Sequence, residues 1–237
     1  EVKSMIRESE VYQVTMVPAE KSLLAVNDFQ GNPLSENQIN ILKRFARAFD
    51  QAYTRFLDLQ KAEEQAREAK IETALEKVRS RSLAMQKSDE LQEVIQIVYA
   101  QFADLGMHVD HTGFIIDYPT NEDMHIWLAD RNGVPSEIRI PYFDAPHWNS
   151  FVEAKKKGDV FFVNHHSFEE KNTFYNTLFE LIPGLSEEIK RYYMECPGLD
   201  ISTVLMDNVG LYVERFSGIP FTEDENQTLK RFGKVFQ

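Results

Sequence analysis

The sequence predicts an α+β protein: an antiparallel sheet with helices on both faces, preceded by a long coiled-coil helix and by the C-terminal half of another domain of the same kind. Three observations predict it. A run of residues near the start recurs, ungapped, near the end. An unbroken helix-forming stretch follows the first copy, and the region between that stretch and the second copy reads as short alternating strands interleaved with helices.

The repeat comes first, because a missed repeat misreads the architecture. Residues 24–49, LAVNDFQGNPLSENQINILKRFARAF, match residues 211–236, LYVERFSGIPFTEDENQTLKRFGKVF. Val26 pairs with Val213, Phe29 with Phe216, Gly31 with Gly218, Pro33 with Pro220, and Leu42-Lys43-Arg44-Phe45 with Leu229-Lys230-Arg231-Phe232. Each copy is an alternating strand broken at Gly and Pro. A Ser35 or Thr222 N-cap and an acidic first turn then favour a helix start. Upstream, 11–17 and 199–206 are short alternating segments, so the shared unit is strand, hairpin, strand, helix. The second copy is preceded by about a hundred residues of mixed structure and the first by almost none. The expectation is that residues 1–50 are the C-terminal half of a first domain, whose two strands lack a sheet and therefore pair with another chain or stay poorly ordered.

From Ser35 to about Lys87 there is no Pro or Gly, and strong helix formers dominate. Leu42, Phe45, Phe49, Ala52, Phe56 and Leu59 recur at three- and four-residue steps, the pattern of a coiled-coil seam. The stripe resumes in a shifted frame at Ile71, Leu75, Val78, Ser82 and Met85. A straight helix of this length spans about 75–80 Å at 1.5 Å per residue. The expectation is a signalling helix over 51–87 and a parallel homodimer through the stripe from Leu42 to Met85. The alternative is a single amphipathic helix packed on its own domain.

Residues 88–237 form the second domain. Ser88-Asp89, with Gln92, has capping-box spacing before the apolar face Leu91, Val94, Ile95, Val98 and Phe102, and Gly106 ends that helix. Strands are expected at 108–118, 124–130 and 136–142, joined by Pro119-Thr120-Asn121 and Arg131-Asn132-Gly133 as turns of a meander. A helix at Pro146–Lys157, a strand at 160–164, and helices at Phe168–Leu181 and 186–195 around Ile182-Pro183-Gly184 lead into the second copy of the repeat.

This order resembles the GAF family, and residues 74–94, ALEKVRSRSLAMQKSDELQEV, resemble the linker and first helix of tandem GAF proteins that feed bacterial histidine kinases. The resemblance extends over essentially residues 10–237. It implies a cytoplasmic sensory module of a two-component signalling protein, with a histidine kinase as output; a cyclase or DNA-binding output fits the same residues.

Composition narrows the function classes. A formal net charge of −12 argues against nucleic-acid binding, which needs a basic face. No stretch approaches the about 20 apolar residues of a membrane helix, so no membrane contact is expected from this chain. Cys196 is the only cysteine, which leaves no intrachain disulfide or multi-thiolate zinc site. No nucleophile elbow, glycine-rich phosphate loop or metal-hydrolase motif is present, so no catalytic residue is assigned and this chain is not expected to be an enzyme. An enzyme acting on a small ligand is the weaker reading.

The GAF resemblance implies a small molecule held between the sheet and the 146–198 excursion, which is dense in aromatics. The pocket is then expected between strands carrying Trp127, Tyr142 and Thr203 and the excursion carrying Trp148, Phe179 and Tyr193, with an apolar or aromatic ligand rather than a phosphate ester. The same aromatics also read as plain core, in which case the domain is a dimerisation spacer that binds nothing. The six His residues, 108, 111, 125, 147, 165 and 166, show no metal-ligand spacing and read as surface or strand-end residues, so no metal is assigned, and the residues name no particular cofactor. Bilin-binding GAF relatives attach a chromophore to a cysteine usually followed by His; here Pro197 follows Cys196, which favours a structural thiol. The cyclic-nucleotide pattern Asn-Lys-x-n-Phe-x-x-x-Asp-Glu is missing.

Overall fold

The computed structural model describes residues 11–87, 90–119, 123–131, 133, 137–182 and 184–237. Ser88, Asp89, Thr120, Asn121, Asn132, Ser136 and Pro183, which carry several of the expected helix starts and turns, lie outside the described residues. The chain forms two compact units, Glu1–Ala69 and Lys70–Gln237. Helix α1 (Glu36–Ala84) contributes residues to each.

In the first unit, β1 (Gln13–Pro18) and β2 (Leu23–Asp28) pair antiparallel, from Gln13↔Asp28 to Pro18↔Leu23. This is the strand, hairpin and strand that the repeat unit predicts. A lone hairpin is marginal in water, and here α1 supports it. The Lys21 backbone N–H and the Ser22 hydroxyl both donate to Asp50 Oδ1, at 2.9 and 2.8 Å. Those bonds, the Lys21 N–H first, hold the Asp50 carboxyl below its ordinary pKa. Gly31 takes the left-handed φ of 75° and its repeat partner Gly218 a φ of 70°, so both copies leave the strand through the same backbone conformation. The predicted caps also form in both. The Gln38 N–H donates to Ser35 Oγ at 3.4 Å and the Glu225 N–H to Thr222 Oγ1 at 3.2 Å, while the Gln38 and Glu225 side chains accept from the cap N–H groups.

The second unit is built on a six-stranded sheet: β3 (His111–Ile116), β4 (Met124–Ala129), β5 (Ile138–Ile140), β6 (Phe161–His166), β7 (Leu199–Leu205) and β8 (Val209–Arg215). The order is β5-β4-β3-β8-β7-β6 and every neighbouring pair is antiparallel. The expected meander is β3-β4-β5. The terminal hairpin β7-β8 returns to the centre, with β8 beside β3, so the two halves of the unit share one sheet.

Strand alternation divides that sheet into two faces. On one face Phe114, Leu211 and Val213 pack with α2 (Leu91–Asp104), α6 (Glu223–Gly233) and the last turns of α1. On the other, Ile115, Ile126 and Tyr212 pack under α3 (Pro146–Lys157) and α4 (Phe168–Leu181), beside α5 (Glu187–Glu195). This is the α+β sheet with helices on both faces that the sequence predicts.

The stripe on α1 has two fates. Ile71, Leu75 and Val78 are buried against α2 and α6 in the core of the second unit. This corrects the expectation of a dimer seam reaching Met85. Three- and four-residue steps mark an apolar helix face without stating what covers it, and here the unit's own helices do. Phe45, Phe49, Phe56 and Leu59, by contrast, stay 66, 56, 56 and 47% exposed in the single chain. Tyr53 stacks between Phe49 and Phe56 with ring centroids 6.2 and 6.4 Å away.

Candidate ligand pocket

A cavity of about 120 Å³ lies between the second face of the sheet and the helices of the excursion. Its floor is set by strand parity. His111 and Ile115 of β3, Ile126 and Leu128 of β4, and Tyr212 and Glu214 of β8 all point to this face. Gly113 sits between His111 and Ile115, and a Cβ there would stand 2.4–2.5 Å from the ring of Tyr212. The absent side chain is what lets that ring lie flat across β3. The roof is aromatic: Trp148 from α3, Phe174, Tyr175 and Phe179 from α4, and Tyr193 from α5. Tyr175 and Tyr193 stack at 4.7 Å, and Phe174 meets Trp148 edge-on at 5.6 Å.

One end of the cavity is polar. His111 Nδ1 lies 3.0 Å from Glu214 Oε2, and the Tyr193 hydroxyl lies 3.4 Å from His111 Nε2. A carboxylate can only accept, so Nδ1 carries the hydrogen and Nε2 accepts from the phenol. His147 Nδ1 lies 3.0 Å from Asn164 Oδ1, and the Asn164 amide is oriented by its own donation to Ser150 Oγ at 2.8 Å. Nδ1 of His147 is therefore the donor and Nε2 the bare acceptor. Burial pushes the His147 pKa down to about 4, so the ring is neutral near pH 7. Burial also raises Tyr175, Tyr193 and Tyr212 well above the ordinary phenol value, Glu214 adding to the effect, and all three stay protonated. The Trp148 Nε1–H and Thr203 Oγ1 are buried with no hydrogen-bond partner among the described residues.

Trp148, Phe179 and Tyr193, expected in the pocket from the sequence, do line it. The other three expected residues do not. Trp127 alternates with Ile126 and Leu128, and so faces the opposite side of the sheet, against the α2 side of the core. Tyr142 lies beyond the end of β5, 43% exposed, with its hydroxyl donating to Asn149 Oδ1 at 2.8 Å. Thr203 is opposite Tyr212 in register and shares its face, but it is covered and does not reach the cavity. The polar end was missed. His111 opens β3 and His166 closes β6, the strand-end positions expected, but both are buried, as is His147, rather than at the surface. The usable signal was Glu214, a carboxylate inside the apolar strand Leu211-Tyr212-Val213, which alternation sets on the same face as His111.

Among the described residues no group of three or more His, Cys, Asp or Glu is placed to hold a metal. Cys196 is buried, and that burial raises its pKa, so it persists as a thiol rather than a reactive thiolate. No described helix is long and apolar enough to cross a membrane.

No family model and no curated protein matches the chain. Among solved structures it is similar to the GAF domain of a phosphoenolpyruvate-protein phosphotransferase from Coxiella burnetii, at 8% identity and a TM-score of 0.42, over 70% of this chain and 90% of that one. It is also similar to the GAF domain of an Acinetobacter phosphoenolpyruvate-protein phosphotransferase, at 13% identity and a TM-score of 0.39, over 69% and 90%. The α+β class rests on this chain's own sheet order and on the helices covering its two faces.

Proposed function

We propose that the Lys70–Gln237 unit is a GAF-like sensory module that binds a small molecule and transmits its occupancy through α1. The observation that carries the reading is the cavity: about 120 Å³ walled by aromatic and aliphatic side chains, with its hydrogen-bonding groups gathered at one end. A spacer needs no such space, and packed interiors rarely leave it. A physical route to the helix exists within the same unit. β3 and β8 carry His111, Tyr212 and Glu214 towards the cavity and Phe114, Leu211 and Val213 towards the cluster that holds Ile71, Leu75 and Val78 of α1. A ligand that favours one setting of these strands would bias α1, provided its affinity differs between the two states.

In this reading the exposed stripe from Leu42 to Leu59 forms the homodimer contact, and the module works inside a larger cytoplasmic signalling protein. A two-component histidine kinase is the output that the sequence of residues 74–94 supports, and the module itself is not catalytic. The test is a thermal-shift screen of small ring compounds. A ligand at a hundred times its dissociation constant adds about 2.7 kcal/mol, or about 5–11 °C for a unit of this size. A melting curve unmoved by every compound would leave the domain as a spacer.

A further inference from the structure

The cavity walls restrict the ligand by charge, by size and by hydrogen-bond sense. Among the described residues lining it, Glu214 is the one acid and there is no Lys or Arg. Lys171 is buried nearby, but its ammonium is turned to the Tyr193 carbonyl and to Asn172 Oδ1, and Lys171 is not among the lining residues. A carboxylate or phosphate entering here would meet a negative charge with no cation to pair with it, at the cost of its own desolvation. A cavity of about 120 Å³ is on the scale of the about 150 Å³ apolar cavities that take up benzene. One ring fills it.

The unmet hydrogen bonds then define the ring. Glu214 uses Oε2 for His111, and its Oε1 has no partner among the described residues. His147 Nε2 is an acceptor once Nδ1 is engaged with Asn164. Both ask the ligand for a donor. The Trp148 Nε1–H is buried without a partner but is covered, as Thr203 Oγ1 is, and makes no demand on the ligand. A plain hydrocarbon ring would leave both acceptors unmatched, and unmatched groups are what a polar site discriminates by.

Resting on the pocket reading above, we propose that the occupant is a small aromatic ring, neutral or cationic, that carries an N–H donor and no carboxylate or phosphate. Azoles and amino-substituted azines have this chemistry. The N–H faces Glu214 or His147, and the ring face lies against Tyr212 and Phe174.

Matched five-membered rings test each requirement on the full chain by NMR titration: thiophene for the ring alone, pyrrole and imidazole for the ring with a donor, and pyrrole-2-carboxylate for the anion. Pyrrole and imidazole should both bind more tightly than thiophene, and the carboxylate should not bind. Imidazole should exceed thiophene by about tenfold or more, the scale of a hydrogen bond to a charged group. Glu214→Gln should narrow that gap and leave thiophene unchanged. The order in the unmutated protein stands as evidence even if that variant does not fold. Equal binding by all three neutral rings, or tighter binding by the carboxylate, overturns the ligand class and leaves the pocket standing. Binding by none of the four to the cavity, together with a null screen of larger rings, overturns the pocket reading and this one with it.

Discussion

Replacing Gly113 with alanine tests how the pocket floor is made. Gly113 does not have a positive φ, so its backbone is one an alanine adopts without strain. The nearest obstacle is Tyr212: a Cβ at 113 would lie 2.4 Å from Cε1 and 2.5 Å from both Cζ and the hydroxyl oxygen. Those distances are more than an ångström inside contact, so the ring must leave the sheet. It is buried on its other sides, and the cavity is the free space it can enter. Overpacking of this kind costs about 1–3 kcal/mol, and the adjoining cavity places this case at the lower end. A unit of this size then melts about 2–6 °C lower, and the displaced phenol occupies the space proposed for a ligand, so any ligand-induced shift should vanish. The decisive measurement is a double-mutant cycle by urea denaturation. In a Tyr212→Ala background the clash is gone, and Gly113→Ala should stabilise by about 0.4–1 kcal/mol by restricting the unfolded chain. The change of sign is the expected result. An equal penalty in both backgrounds would refute the account, because it would place the strain in the backbone.

Four further outcomes follow from individual groups. His147 is held neutral with its pKa lowered from 6.5 to about 4, so below pH 6.5 the unfolded chain binds a proton that the folded chain does not. Stability should therefore fall by about 1.4 kcal/mol per pH unit down to about pH 4 on this account, about 3 kcal/mol in all; urea midpoints at pH 7 and pH 5 should show a slope that His147→Gln reduces, with His166, also lowered by burial, keeping part of it. Gly198→Ala would bring a Cβ within 2.9 Å of Gly218 Cα and 3.0 Å of the His166 carbonyl. Both contacts are backbone, so the cost should reach about 3 kcal/mol, more than at Gly113. Thr222→Ala removes one half of a capping box and should cost about 1 kcal/mol, read from the melting curve. Phe49→Glu with Phe56→Glu should turn a dimer into a monomer by sedimentation velocity while the second unit keeps its melting temperature; a wild-type monomer at micromolar concentration would remove the seam.

The elements of the second unit were legible because each carries a local cause. Ser167 and Ser186 cap helices where the sequence places them, and Gly158 ends α3 in the left-handed region. The strands were legible as strands, but their facing was less so. Trp127 was placed on the wrong side because a large aromatic suggests a pocket, whereas its neighbours Ile126 and Leu128 fix the parity. Tyr142 was lost for a different reason: β5 ends at Ile140, and alternation has no meaning beyond a strand. The polar end could not be read by inspecting histidines singly. His111 and Glu214 lie about a hundred residues apart in the chain and meet only because β8 returns beside β3.

The repeat shows why periodicity alone misassigned α1. Leu229 and Phe232 are fully buried in the second unit, while Phe45, the counterpart of Phe232, is 66% exposed. The two helices have the same kind of cap, Ser35 and Thr222, the same Leu-Lys-Arg-Phe run, and a small residue where each meets its strands. Ala46 and Val17 are buried at the positions of Gly233 and Val204, where the helix crosses so close that a Cβ on Gly233 would lie 2.6 Å from Val204 Cγ1. Local sequence therefore fixes the hairpin, the helix and the face that meets the strands in both copies. What differs is the cover: Phe232 lies 4.6 Å from Phe102 of α2 and Phe236 lies 4.9 Å from Phe114 of β3, and the described residues of the first unit hold no equivalent of either element. One stripe, 42–59, thus combines positions that are domain core in the second copy with the coiled-coil spacing that continues past them. Phe45 and Phe49 belong to both patterns. Phe45→Glu therefore strikes the face that Phe232 buries in the second unit as well as the helix seam, and Phe56→Glu strikes the seam outside the aligned residues 24–49.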